Sequence, residues 1–245
     1  MFGPFHIFAF MVCCIAAIFA AHKLRNAPED NIVKILFFVG VFLILMEVYK
    51  QVFITFKING GVYDWWFFPF QLCSVPMYLC VLLPIMNGWL RRASLTFMAC
   101  YTLVSALAAL IFPEDYLRPQ LSLTLHGFIW HGLLLFISLL IIFSGSADLS
   151  ARGFTNASLL FIFCCIIAVC VNIISEPFMA TAVGIEHDYA AMFYMNPFHV
   201  SPQPIVGAIQ KSTNIPFGLV LYALAIITVS GISCRMQKCF SRSIS

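Results

Sequence analysis

One cysteine, two histidines, a glutamate and two amides lie in this chain where lipid would reject them. Glu47 occurs in LMEVYKQVF, Gln71 and Cys73 in FPFQLCSVPMY, His126 and His131 in LHGFIWHG, and Asn172 in AVCVNIIS. The chemistry these types suggest is a thiol nucleophile with a histidine base. Cysteine attacks as thiolate, and a nearby imidazole supplies that form by taking the proton. An amide or carboxylate then orients the imidazole, as the third member of a triad does. The residues are far apart in sequence, so helix packing has to bring them together.

Each residue also has an ordinary structural role open to it. Glu47 can pair with Lys50 one turn on, or snorkel. Gln71 and Asn172 can hydrogen-bond between helices. Cys73 shares its apolar setting with Cys13, Cys14, Cys80, Cys100, Cys164, Cys165 and Cys170, where a thiol packs as a small hydrophobe. His126 precedes His131 by five residues, so on a helix the two project about 140° apart and need not share a site. His187 and His199 fall in a loop and need no special role. A zinc site from Glu47, His126 and His131 lacks HxxxH or HExxH spacing, and no CxxC pattern occurs. Neither a metal nor a cofactor is expected.

The elements that position these residues are set by composition. The 245 residues are 62% hydrophobic, 16% aromatic and only 9% charged, against about 25% charged in soluble domains. Mean hydropathy is +0.98. A soluble fold has too little interior for so much apolar surface, which makes this an all-α polytopic membrane bundle. The net charge of +3 sits in short loops and argues for no nucleic-acid partner. Membrane lipids are the solvent and a candidate substrate, and nothing sets an oligomeric state. The N-terminal MFGPFHIFAFMVCCIAAIFAAHKLR has neither a basic n-region nor a small-residue cleavage site, so it reads as a first spanning helix.

Apolar runs between charged or Pro/Gly breaks predict seven spans in a single integral membrane domain over 1–245: roughly 4–21, 32–53, 66–86, 93–112, 121–143, 157–175 and 216–234. Residues 176–215 form the long connection, aromatic and proline-broken, with the character of an interfacial or re-entrant cap. On this alternation Lys23, Arg25, Lys34, Arg91, Arg92, Arg152, Arg235, Lys238 and Arg242 share one side; Lys50, Lys57, Arg118 and Lys211 share the other. The positive-inside rule then puts the N-terminus outside and the C-terminus in the cytoplasm. Glu47, Gln71, Cys73, His126, His131 and Asn172 all fall in the outer half of the bilayer. Intramembrane ionisable residues face the bundle interior and mark functional sites by default, so the common depth suggests one shared cavity.

In order along the chain, LMEVYKQVF, FPFQLCSVPMYLCVLLP, SALAALIFPEDY, IWHGLLLFISLLIIF, AVCVNIISEPF and MNPFHVSPQPIVG carry a likeness to a known family. The chain resembles the YwaF-type bacterial integral membrane proteins and their animal relative, a seven-span acyltransferase of ether phospholipids. The likeness covers roughly 45–207. It implies that Cys73 is the acyl-accepting thiol, His131 its base, and Glu47 and Asn172 supporting polar positions. Two departures stand out. Bacterial members commonly have histidine where this chain has Gln71, and Gly-Pro-Trp-Pro where it has SPQP at 201–204. If the upstream histidine is the working base, this chain lacks it. The compartment is a bacterial inner membrane, or the ER or another endomembrane if the chain is eukaryotic.

Two function classes follow. One is a membrane-embedded lipid acyltransferase or hydrolase. The other is a non-enzymatic carrier or binder of a small solute or lipid, since Pro69, Pro76 and Pro84 could break span three as transporter helices are broken.

Overall fold

The computed structural model describes residues 3–179 and 182–244, with side chains through Cys239. Residues 180 and 181 of the predicted outer connection lie outside the described residues, as does the side chain of Arg242 from the charge bias. The helices are α1 (Pro4–Leu24), α2 (Glu29–Val52), α3 (Val75–Leu82), α4 (Gly88–Phe97), α5 (Leu103–Ile111), α6 (Leu121–Phe143), α7 (Ala151–Met179), α8 (Pro204–Ser212) and α9 (Ile215–Ile244). Among the described residues there is no strand. Six stretches are long and apolar enough to cross a membrane: Pro4–Leu24, Glu29–Ile58, Gly88–Ile111, Leu121–Phe143, Ala151–Met179 and Ile215–Cys239. Their outward faces carry large apolar side chains such as Phe8, Phe19 and Phe38, all strongly exposed in the isolated chain, as surfaces that meet lipid tails should be.

The stretch 66–86 is built differently from the continuous span that its hydropathy predicts. A 3₁₀ turn at Trp65–Phe67 gives way to irregular backbone, and regular helix returns only in the eight residues of α3. Pro76 lies in the first turn of α3 rather than midway along a helix, where its missing N–H removes no intrahelical bond. Gln71 and Cys73, about 200° apart on a regular helix, instead share a tight turn in which the Ser74 N–H donates to the Gln71 carbonyl at 2.8 Å.

Small residues let the long helices approach. Gly132 of α6 faces Cys13 of α1, and a Cβ there would sit 3.2 Å from the cysteine sulfur. Gly40 of α2 abuts Cys80 of α3, where a Cβ would come within 2.7 Å. Such close crossings are the main attraction between helices when lipid is as apolar as the side chains. A π-helical turn at Met98–Thr102 joins α4 to α5. Its carbonyls are answered from neighbouring helices: the Ser138 hydroxyl donates to Met98 O at 2.8 Å and the Gln237 amide to Ala99 O at 3.0 Å.

Polar ties gather at the two ends of the bundle. At one end, Arg91 pairs with Glu29 at 2.9 Å, and Thr96 binds the backbone of Asp148 in both directions. At the other, Arg118 pairs with Glu186, Asp64 with His187, and the Tyr194 hydroxyl donates to Asp115. The functional candidates lie toward this second end.

Candidate functional site

The end of α2 supplies three polar side chains on one face. Glu47, Lys50 and Gln51 are spaced three and four apart, so they meet on the helix surface. Lys50 Nζ lies 2.9 Å from Glu47 Oε1, and Gln51 Nε2 donates to that same oxygen at 2.6 Å. The Gln51 amide also donates to the Phe67 carbonyl, tying α2 to the irregular stretch that leads to Cys73. Glu47 is only 5% exposed, and no donor among the described residues reaches its Oε2.

Cys73 occupies the turn before α3 and is half-buried. The turn is held from two sides. Tyr78 donates its hydroxyl to Pro69 O at 2.7 Å, and Trp130 of α6 donates its indole N–H to Cys73 O at 3.2 Å. Trp130 in turn stacks on His126, with centroids 5.6 Å apart and planes 20° from parallel. His126 closes the circuit by bonding Met46 O of α2 through Nε2 at 3.1 Å.

His131 is buried one residue beyond Trp130, and its ring stacks on Tyr116 at 4.9 Å. Its Nδ1 lies 2.8 Å from the carbonyl of Gly127 on its own helix. A carbonyl only accepts, so that nitrogen carries the proton and neutral His131 keeps its lone pair on Nε2. By the same reasoning His126 is protonated on Nε2 and basic on Nδ1. Glu47, Cys73 and His126 are joined by the hydrogen-bonded and stacked circuit just described. His131 adjoins it as the residue after Trp130 on α6.

Gln71 and Asn172 are engaged elsewhere. Both clamp the long connection between α7 and α8. Gln71 donates to Ala191 O at 3.1 Å and accepts from Phe193 N–H at 2.8 Å. Asn172, fully buried, donates to Met192 O at 3.1 Å and accepts from Met192 N–H at 2.7 Å. The clamped backbone is strained: Phe193 and Tyr194 both have φ of 55°, the left-handed region that residues with a Cβ rarely adopt. Burial, followed by the neighbouring Asp115 carboxylate, pushes the Tyr194 phenol well up, so it stays a donor to that carboxylate.

Two further pairs anchor the same connection. His187 binds the buried Asp64 through Nδ1 at 2.8 Å and stacks flat on Trp66 at 4.3 Å. His199 binds Glu176 at 2.7 Å and stacks on Tyr189 at 4.4 Å. Sequence reasoning gave these histidines no partner and missed Gln51, Tyr78 and Trp130. Gln51 was detectable as the i+4 neighbour of Glu47. The others carry no sequence signal, because only the fold sets their partners. Among the described residues, no cluster of three or more His, Cys, Asp or Glu side chains could hold a metal.

Comparison with the curated proteins and with the solved structures gives no match. A family model does match, described as the TMEM164 family, over residues 1–233. The match spans nearly the whole chain and includes every residue of the circuit around Cys73. With its six long apolar helices, the chain is a multi-pass integral membrane protein that belongs to the TMEM164 family.

Proposed function

We propose that this chain is a membrane-embedded lipid acyltransferase or hydrolase in which Cys73 takes an acyl group from a phospholipid as a thioester. His131, or the neighbouring His126, takes the thiol proton. One observation carries the reading. Of the ten cysteines, Cys73 is the one outside helical backbone, in a turn braced by Trp130 and Tyr78. The other nine lie in helices. The resemblance to YwaF-type proteins and ether-phospholipid acyltransferases points the same way. Membranes incubated with an acyl donor or a thiol-directed activity probe test it. Labelling of Cys73→Ser as strong as that of the parent sinks the reading.

The bundle is read as a single domain of seven crossings, N-terminus outside and C-terminus cytoplasmic. The Glu29–Arg91 pair supports the count, because it brings the starts of α2 and α4 to one level. A helix of 24 residues carries α2 about 36 Å away from that level. Residues 59–87 then return the chain to that level, which supports reading 66–86 as a seventh, broken crossing. That same break favours the rival class, a carrier or binder, since irregular backbone at membrane depth often lines solute sites. Thermal stabilisation by a solute that survives Cys73→Ala supports the carrier.

A further inference from the structure

We propose that Glu47 is the proton acceptor for an incoming alcohol hydroxyl, and that Oε2 is the atom that receives it. The inference rests on the thioester reading above and concerns its second half. Glu47 is buried, yet its two oxygens are treated unequally. Oε1 takes both the Lys50 ammonium and the Gln51 amide, while no donor among the described residues reaches Oε2. A buried carboxylate oxygen without a donor is costly, and a ligand that donates to it recovers that cost. His126 bonds the carbonyl of Met46, the residue before Glu47, and Trp130, stacked on His126, bonds the carbonyl of Cys73, so one face of α6 holds the backbone that carries the carboxylate and the backbone that carries the thiol. The Glu47–Gln51–Phe67 bonds tie the same carboxylate to the stretch that leads into the Cys73 turn.

The kind of donor follows from charge and lining. Lys50 already neutralises Glu47, so a second ammonium would be repelled and a neutral O–H group is the better fit. Trp130 and Tyr78 brace the Cys73 turn, and such aromatic walls receive the hydrocarbon body of a lipid alcohol better than bulk water. In the step itself, the alcohol O–H breaks and its proton passes to Oε2. The alcohol oxygen forms a C–O bond at the thioester carbonyl. The C–S bond breaks with its electron pair on the Cys73 sulfur. The proton held by Glu47 returns to that thiolate, leaving ester, thiol and carboxylate.

The test uses the full chain in nanodiscs, a phospholipid labelled in one acyl chain, and a lysophospholipid as the hydroxyl probe. Two quantities are read: hydroxylamine-labile label on the protein, and its discharge on adding the probe or water alone. With each rate referred to the acyl-enzyme actually formed, Glu47→Gln should discharge its label to the alcohol about 100-fold more slowly than the parent. Glu47→Asp keeps the charge but withdraws the oxygen by one methylene, and should slow discharge at least about tenfold. It carries the test if the amide variant does not fold. Discharge at the parental rate in either folded variant overturns the inference while the thioester reading stands. A parental discharge as fast in water alone as with the lysophospholipid overturns it too. A parent that forms no hydroxylamine-labile label removes the thioester reading itself, and the inference with it.

Discussion

Two polar regions at the same end of the bundle are finished to different degrees. The clamp that Gln71 and Asn172 place on residues 191–193 is complete: each amide both donates to and accepts from the loop backbone. The group around Glu47 is incomplete, with one carboxylate oxygen doubly bonded and the other bare. Buried polar groups whose hydrogen bonds are all answered specify a structure. A buried group left open bears a cost that stability alone does not explain. The comparison separates amides whose hydrogen bonds are answered from a carboxylate with one oxygen unanswered, although both regions lie toward the same end of the bundle.

Changes in each region should part stability from activity. The largest effect is expected at the open region. Cys73→Ser should remove acyl labelling almost wholly while shifting unfolding by less than about 1 kcal/mol, since the side chain is half-buried. Acyl-probe labelling and thermal unfolding of the same preparation check both parts. In the closed region the balance should reverse. Asn172→Ala leaves the buried N–H of Met192 without a partner, while its carbonyl keeps the Met195 N–H, and should cost about 1–3 kcal/mol in denaturant unfolding. If it costs under about 0.5 kcal/mol, the clamp does not hold the loop.

Smaller changes sharpen the contrast. Gln71→Leu removes the second clamp from a less buried position and should cost about 1–2 kcal/mol. If the clamp also orders the mouth of the site, proteolysis within 187–200 should quicken. Ser138→Ala removes the side-chain donor to the Met98 carbonyl of the π-turn and should cost about 1 kcal/mol, with no change in labelling. The smallest effect is at the opposite end. There the Ser150 hydrogen bond, aided by Arg92 and Arg152, holds the Asp148 carboxyl below its usual range. A depressed pKa contributes stability above the ordinary carboxylate value, and that contribution is lost as pH falls through the folded value. Unfolding midpoints of the parent and Asp148→Asn should therefore differ by a constant amount near neutral pH and converge below the usual value of 3.8. A difference that grows on acidification would exclude this account.

Much of the architecture was legible because lipid imposes it. Six of the predicted spans match long helices, since a run of about 20 apolar residues has few other ways to satisfy its backbone in a bilayer. The region around Pro69 and Pro76 was misread in detail, because hydropathy reports burial and says little about helix regularity. The polar residues were likewise visible as anomalies, but their partners were not. Gln71 and Asn172 read as bridges between helices, whereas both grip a loop more than 100 residues from one of them and about 20 from the other.

The sequence by itself determined that the chain is solvated by lipid, which segments are helical and which few residues do not belong there. Those facts are local, set by the transfer energy of side chains and the obligation of each backbone group to bond within its own segment. Only the tertiary structure decided which anomaly is paid off by a neighbour and which is left open. It set Trp130 against the Cys73 carbonyl, drew Gln51 between Glu47 and Phe67, and left Oε2 of Glu47 bare. Hydrogen-bond satisfaction depends on distances of a few tenths of an ångström between distant segments, and no spacing along a chain encodes that.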